Sequence, residues 1–385
     1  MRKNKLIFFV NHAAFFVSHR LNLALKAAKD GYKVEILLGK AASNIEEKIA
    51  LKTLKQNNLK YKKLPFKSSE VNLFRNFYAL FVTFFYIKKN KPDIIHLISP
   101  KAILLGGILA RYFRVKGIVL SISGMGYLFT ENENLLNKIY KLIYMFCLSY
   151  ILKHKNKKVI VQNKDDYRFF FNKFKLKKNE IVRIRGSGVN LDKFNKINIR
   201  NKYKQVLFVG RVIKEKGVKE FIESVQMLNK LKKYKFWNYL IVGELNYDKS
   251  SKFKKKDIEN WKKIKKLKFL GYKRDIYKYY KLSSIICLPS YREGMPKVLL
   301  EAAASGRPVI TTNTIGCKEA IINYKTGELC RVKDSYSLFK SLSKFMDNKN
   351  LRQYYGRNGR ILARKEFDIK KVSNHLVKIY KNLSS

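Results

Sequence analysis

The chain has 385 residues, of which 46% are hydrophobic and 14% aromatic, so it can bury more than one core and is not a disordered chain of low hydrophobicity. Its 83 Lys+Arg against 28 Asp+Glu give a formal net charge of +55, which predicts attraction to nucleic acid, an anionic membrane face or phosphorylated substrates. Four widely spaced cysteines exclude a disulfide framework and a Cys-x-x-Cys zinc site, which favours a reducing cytosol.

Short β-type runs alternate with longer helical patterns, which predicts parallel sheets built from α/β units. The first run, KLIFFV, follows a basic start and has some signal-peptide character, but Asn11 and His12 interrupt it, and a buried strand explains it better. The strands DIIHLI, GIVLSI and VIVQ follow, together with an aromatic helix near 74–89 and an amphipathic stretch over 135–154. None of the apolar runs is long enough to span a bilayer.

The alternation restarts at VLFV (206–209) and continues through the strands YLIVG, KFLG, SIICLP and PVITT. We therefore predict an α/β protein of two doubly wound, Rossmann-like domains that face each other across a cleft, where ligands bind at the carboxyl ends of the strands. The expected divisions are an N-terminal domain over 1–189, a polar linker over 190–205, a C-terminal domain over 206–365, and a C-terminal helix over 366–385 that packs back on the first domain.

The loop GRVIKEKG, after the first strand of the second half, combines a glycine turn, two cations and a helix start. Gly210 ends the strand, Arg211 follows it, and Lys216 stands just before the helix. Backbone N–H groups, the helix dipole and two full charges together predict a phosphate site. The alternative is an ordinary turn whose cations face water. The pattern G-x-x-x-x-G-K-[ST] is absent, which argues against a P-loop ATPase.

The segment EGMPKVLLEAAASGRPVI places two carboxylates eight residues apart around a helix start. Pro296 suits the first turn of that helix, so Glu293 lies in the loop before it and Glu301 lies within it. Charged acceptors bind sugar hydroxyls strongly. Alternatively, Glu293 favours the helix dipole and Glu301 is a solvated helix residue. Because leucines and alanines flank Glu301, we expect a buried carboxylate that needs a partner, which favours a functional site.

These two segments together resemble the retaining glycosyltransferases of family 4, which have the GT-B fold and whose signature is the pair E-x7-E. SGMGYLF (123–129) resembles the glycine loop of their first domain, GSGVNLDKF (186–194) the segment that enters the second, and LGYKRDI (270–276) the loop beside the nucleotide base. Within the family, HLISPKAILLGGILARYF and EGMPKVLLEAA are most similar to bacterial enzymes that extend polyprenyl-diphosphate-linked sugars for surface polysaccharide or glycoprotein glycans.

The resemblance implies a hexosyltransferase that moves a sugar from a nucleoside-diphosphate donor, bound by the second domain, to a polyprenyl-diphosphate-linked saccharide, bound by the first. We expect no cofactor. We expect a UDP-linked sugar of the N-acetylhexosamine type. The implied catalytic residues are Glu293, Arg211 and Lys216. The implied donor-binding residues are Gly210, Arg211, Lys216, Tyr272, Arg274, Glu293, Gly294, Met295, Lys297, Val298 and Glu301. The implied acceptor-binding residues are His12, His19, Arg20, His96, Lys101, Gly124 and Gly126.

The chain departs from the family at one place, since many relatives have a histidine in the loop after the fourth strand. Here the stretch is HLISPK, with His96 at the strand end and Pro100-Lys101 in the loop. His96 is either a strand histidine whose hydrogen bonds are satisfied within the protein or a catalytic group. No D-x-D stands in a loop after a strand, so we expect Arg211, Lys216 and helix N-termini, instead of a metal, to stabilise the leaving group.

Two stretches with apolar faces and flanking Lys, near 74–89 and over 135–154, allow two interpretations. Each packs on its sheet, or they attach the protein peripherally to the anionic inner face of the cytoplasmic membrane, which we expect because the acceptor lies there. The basic charge is either functional or compositional, since Asn, Ile, Tyr and Phe are abundant too. The alternative functions are an epimerase or hydrolase of the same fold and a nucleic-acid-binding protein. The cations are spread along the chain, so no specific nucleic acid is expected.

Overall fold

The computed structural model describes residues 3–41, 44–67, 72–124, 135–200, 203–245, 253–273 and 275–384. The chain divides into two compact units. The first unit comprises Met1–Ser187 and Lys370–Ser385, and the second comprises Gly188–Ile369. Each unit has its own parallel sheet and its own hydrophobic core.

Among the described residues of the first unit, seven parallel strands form one sheet in the order β3-β2-β1-β4-β5-β6-β7. Its central strands are buried on both faces, so their sequences are continuous apolar runs. The strands are β1 (Lys5–Val10), β2 (Lys33–Lys40), β3 (Lys60–Lys67), β4 (Ile94–Ile98), β5 (Gly117–Ile122), β6 (Lys157–Val161) and β7 (Ile181–Arg183).

Helices cover both faces of this sheet. Alternate residues of β1 enter two different cores: Leu6 and Phe8 pack with helices α1, α2, α3 and α15, whereas Ile7 and Phe9 pack with α4, α5, α6 and α7. The helices are α1 (Ala13–His19), α2 (Leu21–Lys29), α3 (Asn44–Gln56), α4 (Leu73–Asn90), α5 (Pro100–Tyr112), α6 (Leu135–Leu152), α7 (Lys164–Lys173) and α15 (Ile369–Ser384). The C-terminal helix α15 is thus part of the first unit, through buried side chains such as Leu376 and Tyr380.

The described residues of the second unit form a six-stranded parallel sheet in the order β10-β9-β8-β11-β12-β13. Its strands are β8 (Gln205–Val209), β9 (Asn238–Val242), β10 (Leu267–Phe269), β11 (Ile285–Leu288), β12 (Val309–Thr312) and β13 (Gly327–Cys330). Its helices are α8 (Leu191–Phe194), α9 (Val218–Asn229), α10 (Lys255–Lys262), α11 (Tyr277–Leu282), α12 (Lys297–Ala304), α13 (Ser335–Asp347) and α14 (Lys349–Glu366). The predicted fold class of two Rossmann-like, doubly wound α/β units is confirmed.

The structure differs from the sequence interpretation in several segments. Residues 190–205 belong to the second unit instead of forming a separate linker, because Leu191, Phe194 and Ile197 are buried in its core between the polar residues that dominate the composition. The residues just after the first strand form a short helix, α1, that no sequence pattern predicted. The outer strands β3, β7 and β13 were not predicted, since β3 is Lys-rich, β7 has only three residues and β13 is the short, mixed sequence GELC.

Candidate active site

The loops after β8 and β11 meet at the switch point of the second sheet. These strands are neighbours, yet the chain continues from β8 to β9 on one side and from β11 to β12 on the other. Open α/β sheets bind ligands at the carboxyl ends of the strands where the order reverses in this way. The loop after β8 carries the predicted phosphate residues, and the loop after β11 carries Glu293, so the fold brings the two motifs together.

The phosphate loop is short and tightly held. Gly210 and the exposed Arg211 follow β8, a 3₁₀ turn covers Lys214–Lys216, and Gly217 precedes α9. Gly217 has φ +70°, and a Cβ at this position would lie 2.1 Å from the carbonyl oxygen of Pro289 in the neighbouring loop. The residue after Lys216 must therefore be glycine, because both its backbone conformation and its close neighbour exclude a side chain.

An ion pair joins the two loops. Lys216 Nζ donates a hydrogen bond to Glu293 Oε1, and both side chains are largely buried. The Tyr291 N–H also donates to the carbonyl oxygen of Glu215 at 2.9 Å. The Lys216 ammonium has three donors, so it can hold Glu293 and still offer a hydrogen to a phosphate oxygen. The arrangement places one cation and one carboxylate side by side before any substrate arrives.

The loop after β12 fixes the backbone of Glu293, a contribution that the sequence analysis missed. The Glu293 N–H donates to the carbonyl oxygen of Ile315 at 3.1 Å. Gly316 has φ +81°, and a Cβ there would lie 2.2 Å from the Glu293 carbonyl oxygen. The available signal was a glycine shortly after the buried strand PVITT, which marks a turn or a close approach of two backbones.

Glu301 lies inside α12 and is only 6% exposed. Its Oε1 is 3.5 Å from Lys297 Nζ one turn earlier, and the Tyr280 hydroxyl lies 3.2 Å from its Oε2. Burial, followed by the Glu301 charge, raises the pKa of Tyr280 well above its usual value of 10, so the phenol stays a neutral donor. The buried carboxylate thus has the partners that its burial requires.

Tyr291 stabilises the loop between β11 and α12 through a contact with α9. Its hydroxyl donates to Glu220 Oε1 on α9 at 2.6 Å. Burial and this hydrogen bond to the carboxylate raise the pKa of Tyr291 above its usual value of 10. Glu220 is itself buried, so the pair connects the loop that carries Glu293 to the helix that follows the phosphate loop.

The remaining predicted donor residues occupy three positions. Gly294 and Met295 are buried just before α12, whereas Lys297 and Val298 begin that helix. Tyr272 lies in the loop after β10, two strands from β8 in the sheet, and is largely exposed. Arg274 lies outside the described residues.

Of the predicted acceptor residues, His12, Lys101 and Gly124 follow the adjacent strands β1, β4 and β5, at the switch point of the first unit between β1 and β4. His12 follows β1 and caps α1, with its Nδ1 accepting the Phe15 N–H at 3.2 Å. Lys101 follows β4 at the start of α5 and donates to the carbonyl oxygen of Lys67 at 2.6 Å. Gly124 follows β5, and Gly126 lies outside the described residues.

His19 and Arg20 lie at the other end of α1. The His19 ring stacks on Phe15 with 4.4 Å between ring centroids. Arg20 is almost fully buried, donates to the His19 carbonyl oxygen at 3.1 Å, and has its pKa lowered to about 10 by that burial. Both residues are therefore one short helix away from the end of β1, and His12 alone of these three lies directly after that strand.

His96 is the central residue of β4 and is fully buried, which corrects its assignment to the acceptor site. Its Nδ1 lies 2.6 Å from the Tyr380 hydroxyl, and its Nε2 lies 2.6 Å from the Ser121 hydroxyl. Burial and the nearby charge of Arg20 lower the pKa of His96 well below 6.5. Because both ring nitrogens already have partners within the core, His96 stabilises the first unit and does not bind an acceptor.

This burial predicts an acid-sensitive first unit. The unfolded chain binds a proton at His96 below pH 6.5 and the folded chain does not, so stability falls as the pH drops through 6.5, by up to about 1.4 kcal/mol per pH unit for each such histidine. His154 and His375, whose pKa values burial also lowers, add to the effect. Urea titrations at pH 7 and pH 5.5 should show the loss, and a His96→Asn variant should be less stable at pH 7 with a flatter pH dependence. An equal slope in both proteins would contradict the assignment.

The described residues contain no group of three or more His, Cys, Asp and Glu side chains placed to hold a metal ion. The loops at the switch point of the second unit and helix α12 carry the cations Arg211, Lys216 and Lys297 and the carboxylates Glu293 and Glu301. Such a set can bind a diphosphate through its cations and sugar hydroxyls through its carboxylates.

Two family models match the chain, one in each half. Residues 5–163 match the model described as "Glycosyl transferase 4-like", and residues 190–362 match the model described as "Glycosyl transferases group 1". The second match contains the phosphate loop and both glutamates. The chain belongs to the family 4 glycosyltransferases. The family and enzyme class that the motifs predicted are thereby confirmed.

Relatives match the glycosyltransferase over most of its length, and solved structures match its fold. It is 25% identical over 396 residues to the N,N'-diacetylbacillosaminyl-diphospho-undecaprenol alpha-1,3-N-acetylgalactosaminyltransferase of Campylobacter jejuni, with 97% of each chain covered. It is 26% identical over 303 residues to the UDP-Gal:alpha-D-GlcNAc-diphosphoundecaprenol alpha-1,3-galactosyltransferase of Escherichia coli, with 75% of each covered.

A glycosyltransferase from Rickettsia africae has a TM-score of 0.73 at 19% identity, covering 100% of this chain and 99% of that one. HepE from Anabaena, in complex with UDP and glucose, has a TM-score of 0.76 at 15% identity, covering 98% and 99%. These structural similarities concern the fold alone.

Proposed function

We propose that this glycosyltransferase moves a sugar of the N-acetylhexosamine type from a UDP-linked donor to a polyprenyl-diphosphate-linked saccharide, with retention of anomeric configuration and without a metal. The reaction would take place at the inner face of the cytoplasmic membrane, where the protein is peripherally attached. The observation that carries the proposal is the Lys216–Glu293 pair at the switch point of the second unit, with Arg211 at the end of β8.

The charged residues of the second unit would bind three parts of the donor: the diphosphate, the ribose and the transferred sugar. Arg211 and Lys216 would hold the diphosphate, since both cations follow a buried strand that ends at the switch point. Glu301 would accept hydrogen bonds from the ribose hydroxyls, because Tyr280 and Lys297 hold its two oxygens in place. Glu293, together with backbone amides at the start of α12, would hold the transferred sugar.

The proposed reaction breaks the bond between the anomeric carbon and the diphosphate oxygen. Negative charge develops on the leaving diphosphate, where Lys216 and Arg211 stabilise it by electrostatics that are in place before the reaction begins. The acceptor hydroxyl attacks the anomeric carbon from the face that the diphosphate leaves, and its proton passes to the departing phosphate oxygen. An α-linked donor therefore gives an α-linked product, and no side chain is proposed as a covalent nucleophile.

The acceptor class is supported by the two named relatives. Both names specify a sugar attached to undecaprenol through a diphosphate, and the first relative matches 97% of this chain. His12, Lys101 and Gly124, which follow β1, β4 and β5 of the first unit, are the residues that we propose for acceptor contact; His19 and Arg20 complete this set from the end of α1. We propose Gly126 for the acceptor site, and Arg274 and Tyr272 for the donor site, from their sequence motifs alone.

The test has a binding step and a turnover step. Thermal unfolding with UDP, GDP, ADP or TDP should show selective stabilisation by one nucleotide, of about 2.7 kcal/mol at 100 times its Kd, and EDTA should leave the shift unchanged. Transfer from UDP-linked N-acetylhexosamines to a short-chain polyprenyl-diphosphate sugar should follow, with an α-linkage in the product. Hydrolysis or epimerisation of the donor without transfer, or stabilisation by no nucleotide, would overturn the proposal.

A further inference from the structure

Helices α4 and α6 present large apolar side chains to solvent at the same helical spacing. On α4 the exposed fraction runs from 90% for Phe74 to 50% for Phe85, and on α6 it reaches 77% for Phe146. Residues at positions i, i+3, i+4, i+7 and i+11 lie on one side of a helix. The outer face, as we define it, comprises Phe74, Phe77, Tyr78, Phe81 and Phe85 of α4 and Ile139, Leu142, Ile143, Phe146 and Tyr150 of α6.

The two helices belong to one layer of the first unit. Both contribute side chains to the same core on the same side of the sheet, with α5 between them. Phe84 of α4 contacts Phe113 just after α5, with 4.9 Å between ring centroids, and Arg111 of α5 lies 4.1 Å from the Tyr150 ring of α6. Because their inner sides pack on the sheet, the outer face of both helices points away from it.

Among the described residues, the helices on the other side of the same sheet expose a single large apolar side chain, Ile45 of α3. The exposed positions of α15 are occupied by polar residues such as Lys371, Asn374 and Lys378, and those of α2 include Asn22 and Lys29. The abundance of Phe and Tyr in the chain therefore does not account for the outer face, because a bias in composition would place exposed aromatic residues on both sides of the sheet. A contiguous exposed apolar surface marks an interaction site.

The charged residues within the helices of this layer have one sign. Helices α4, α5 and α6 contain no Asp or Glu. Exposed cations stand at both ends of α4, at Arg75 and at Lys88 and Lys89, and Lys138 and Lys153 stand in α6 and just after it. An apolar helix face with aromatic residues and a cationic border is typical of binding in the headgroup region of an anionic bilayer.

The outer face reaches the edge of the sheet where the acceptor loops lie. A helix between parallel strands runs antiparallel to them, so α4 begins beside the carboxyl end of β3. Phe74, the most exposed aromatic residue of the face, is at that end of α4. Lys101, which follows β4, donates a hydrogen bond to the last residue of β3, so the proposed acceptor loop lies at the same edge.

We propose that the outer face of α4 and α6 docks the protein on the headgroup and upper acyl region of an anionic membrane, with the end of α4 that carries Phe74 nearest the lipid-linked acceptor. The proposal rests on the proposed function only for the reason to dock, which is to reach a lipid-linked acceptor; the surface itself is inferred from exposure and charge. No helix in the described part of the chain is long and apolar enough to cross a bilayer, and the outer face would lie in the plane of the interface. A second copy of the chain is a poorer occupant, because pairing two outer faces would bring two cationic borders together.

Vesicle binding tests the surface directly. Wild-type protein should float with vesicles of equal parts phosphatidylglycerol and phosphatidylcholine, more strongly than with pure phosphatidylcholine, and a fraction should stay bound at about 0.5 M salt, where surface charge attraction is screened. The double variant Phe77→Gln/Phe81→Gln should lower the partition coefficient by about tenfold or more, since two inserted rings are lost. The matched control is Tyr354→Gln/Ile361→Gln on α14, which removes two exposed large side chains from the second unit and should bind as wild type does.

The outcomes distinguish a failure of the docking proposal from a failure of the proposed function. Turnover with a water-soluble acceptor should be the same in both double variants and the wild type, which shows that the rings act in docking and not in the active site. Equal vesicle binding by the two double variants, or a wild type that dimerises through this face and ignores vesicles, would overturn the docking proposal even if transfer is observed. Vesicle binding that depends on Phe77 and Phe81 would support docking even if the proposed transfer fails.

Discussion

Replacing Lys216 by methionine is expected to lower the kcat of sugar transfer by about a thousandfold, the loss seen when one preorganised donor to a developing negative charge is removed. Methionine keeps most of the side-chain stem, so the loop keeps its packing while the charge and its donors disappear. Glu293 also loses its partner, because Lys216 Nζ is bonded to its Oε1. If Lys216 stabilises the leaving diphosphate, kcat falls more than the KM for the donor rises.

The control for this variant is Lys219→Met, three residues further along the chain. Lys219 lies on the exposed side of α9 and pairs with Glu223 at 3.6 Å, an i,i+4 contact worth about 0.3–0.5 kcal/mol. Its loss should leave turnover unchanged and stability nearly so. Steady-state kinetics on both variants decides the matter: a Lys216→Met enzyme with kcat within a factor of a few of the Lys219→Met enzyme would remove Lys216 from the catalytic site.

Glu301→Gln is expected to lower kcat/KM for the donor by about 100-fold. A hydrogen bond to a charged group contributes about 1.5–3 kcal/mol, and the amide gives up the charge while keeping an acceptor for the Tyr280 hydroxyl. The variant should therefore stay folded. With a donor that lacks the ribose hydroxyls the penalty should largely vanish, because the group that Glu301 is proposed to bind is already absent.

Glu328→Gln provides the matched control for that variant. Glu328 is as buried as Glu301 and is paired with Lys344, but it lies on β13, outside the proposed donor site. Both substitutions should lower the melting temperature, and only Glu301→Gln should lower kcat/KM. If the two variants lose activity equally, or if the deoxy donor shows the same penalty, then Glu301 supports the fold and does not bind ribose.

Much of the fold could be predicted from the sequence, because strands buried on both faces of a parallel sheet are continuous apolar runs and are easily recognised. KLIFFV and SIICLP are examples, and both are central strands next to a switch point. The misses had local causes: Leu191, Phe194 and Ile197 are buried within a stretch that is otherwise polar, so composition alone indicated a linker.

The sequence by itself determined the residue types of the candidate site, since a glycine turn with cations and a helix start with two glutamates are local patterns. Only the tertiary structure decided which of them meet. Lys216 and Glu293 are 77 residues apart and become partners because β8 and β11 are neighbours in the sheet. His96 lies in the core and not in the site, and its Nδ1 is hydrogen-bonded to the hydroxyl of Tyr380, 284 residues away on α15. Strand order and helix packing set such contacts, and no local pattern encodes them.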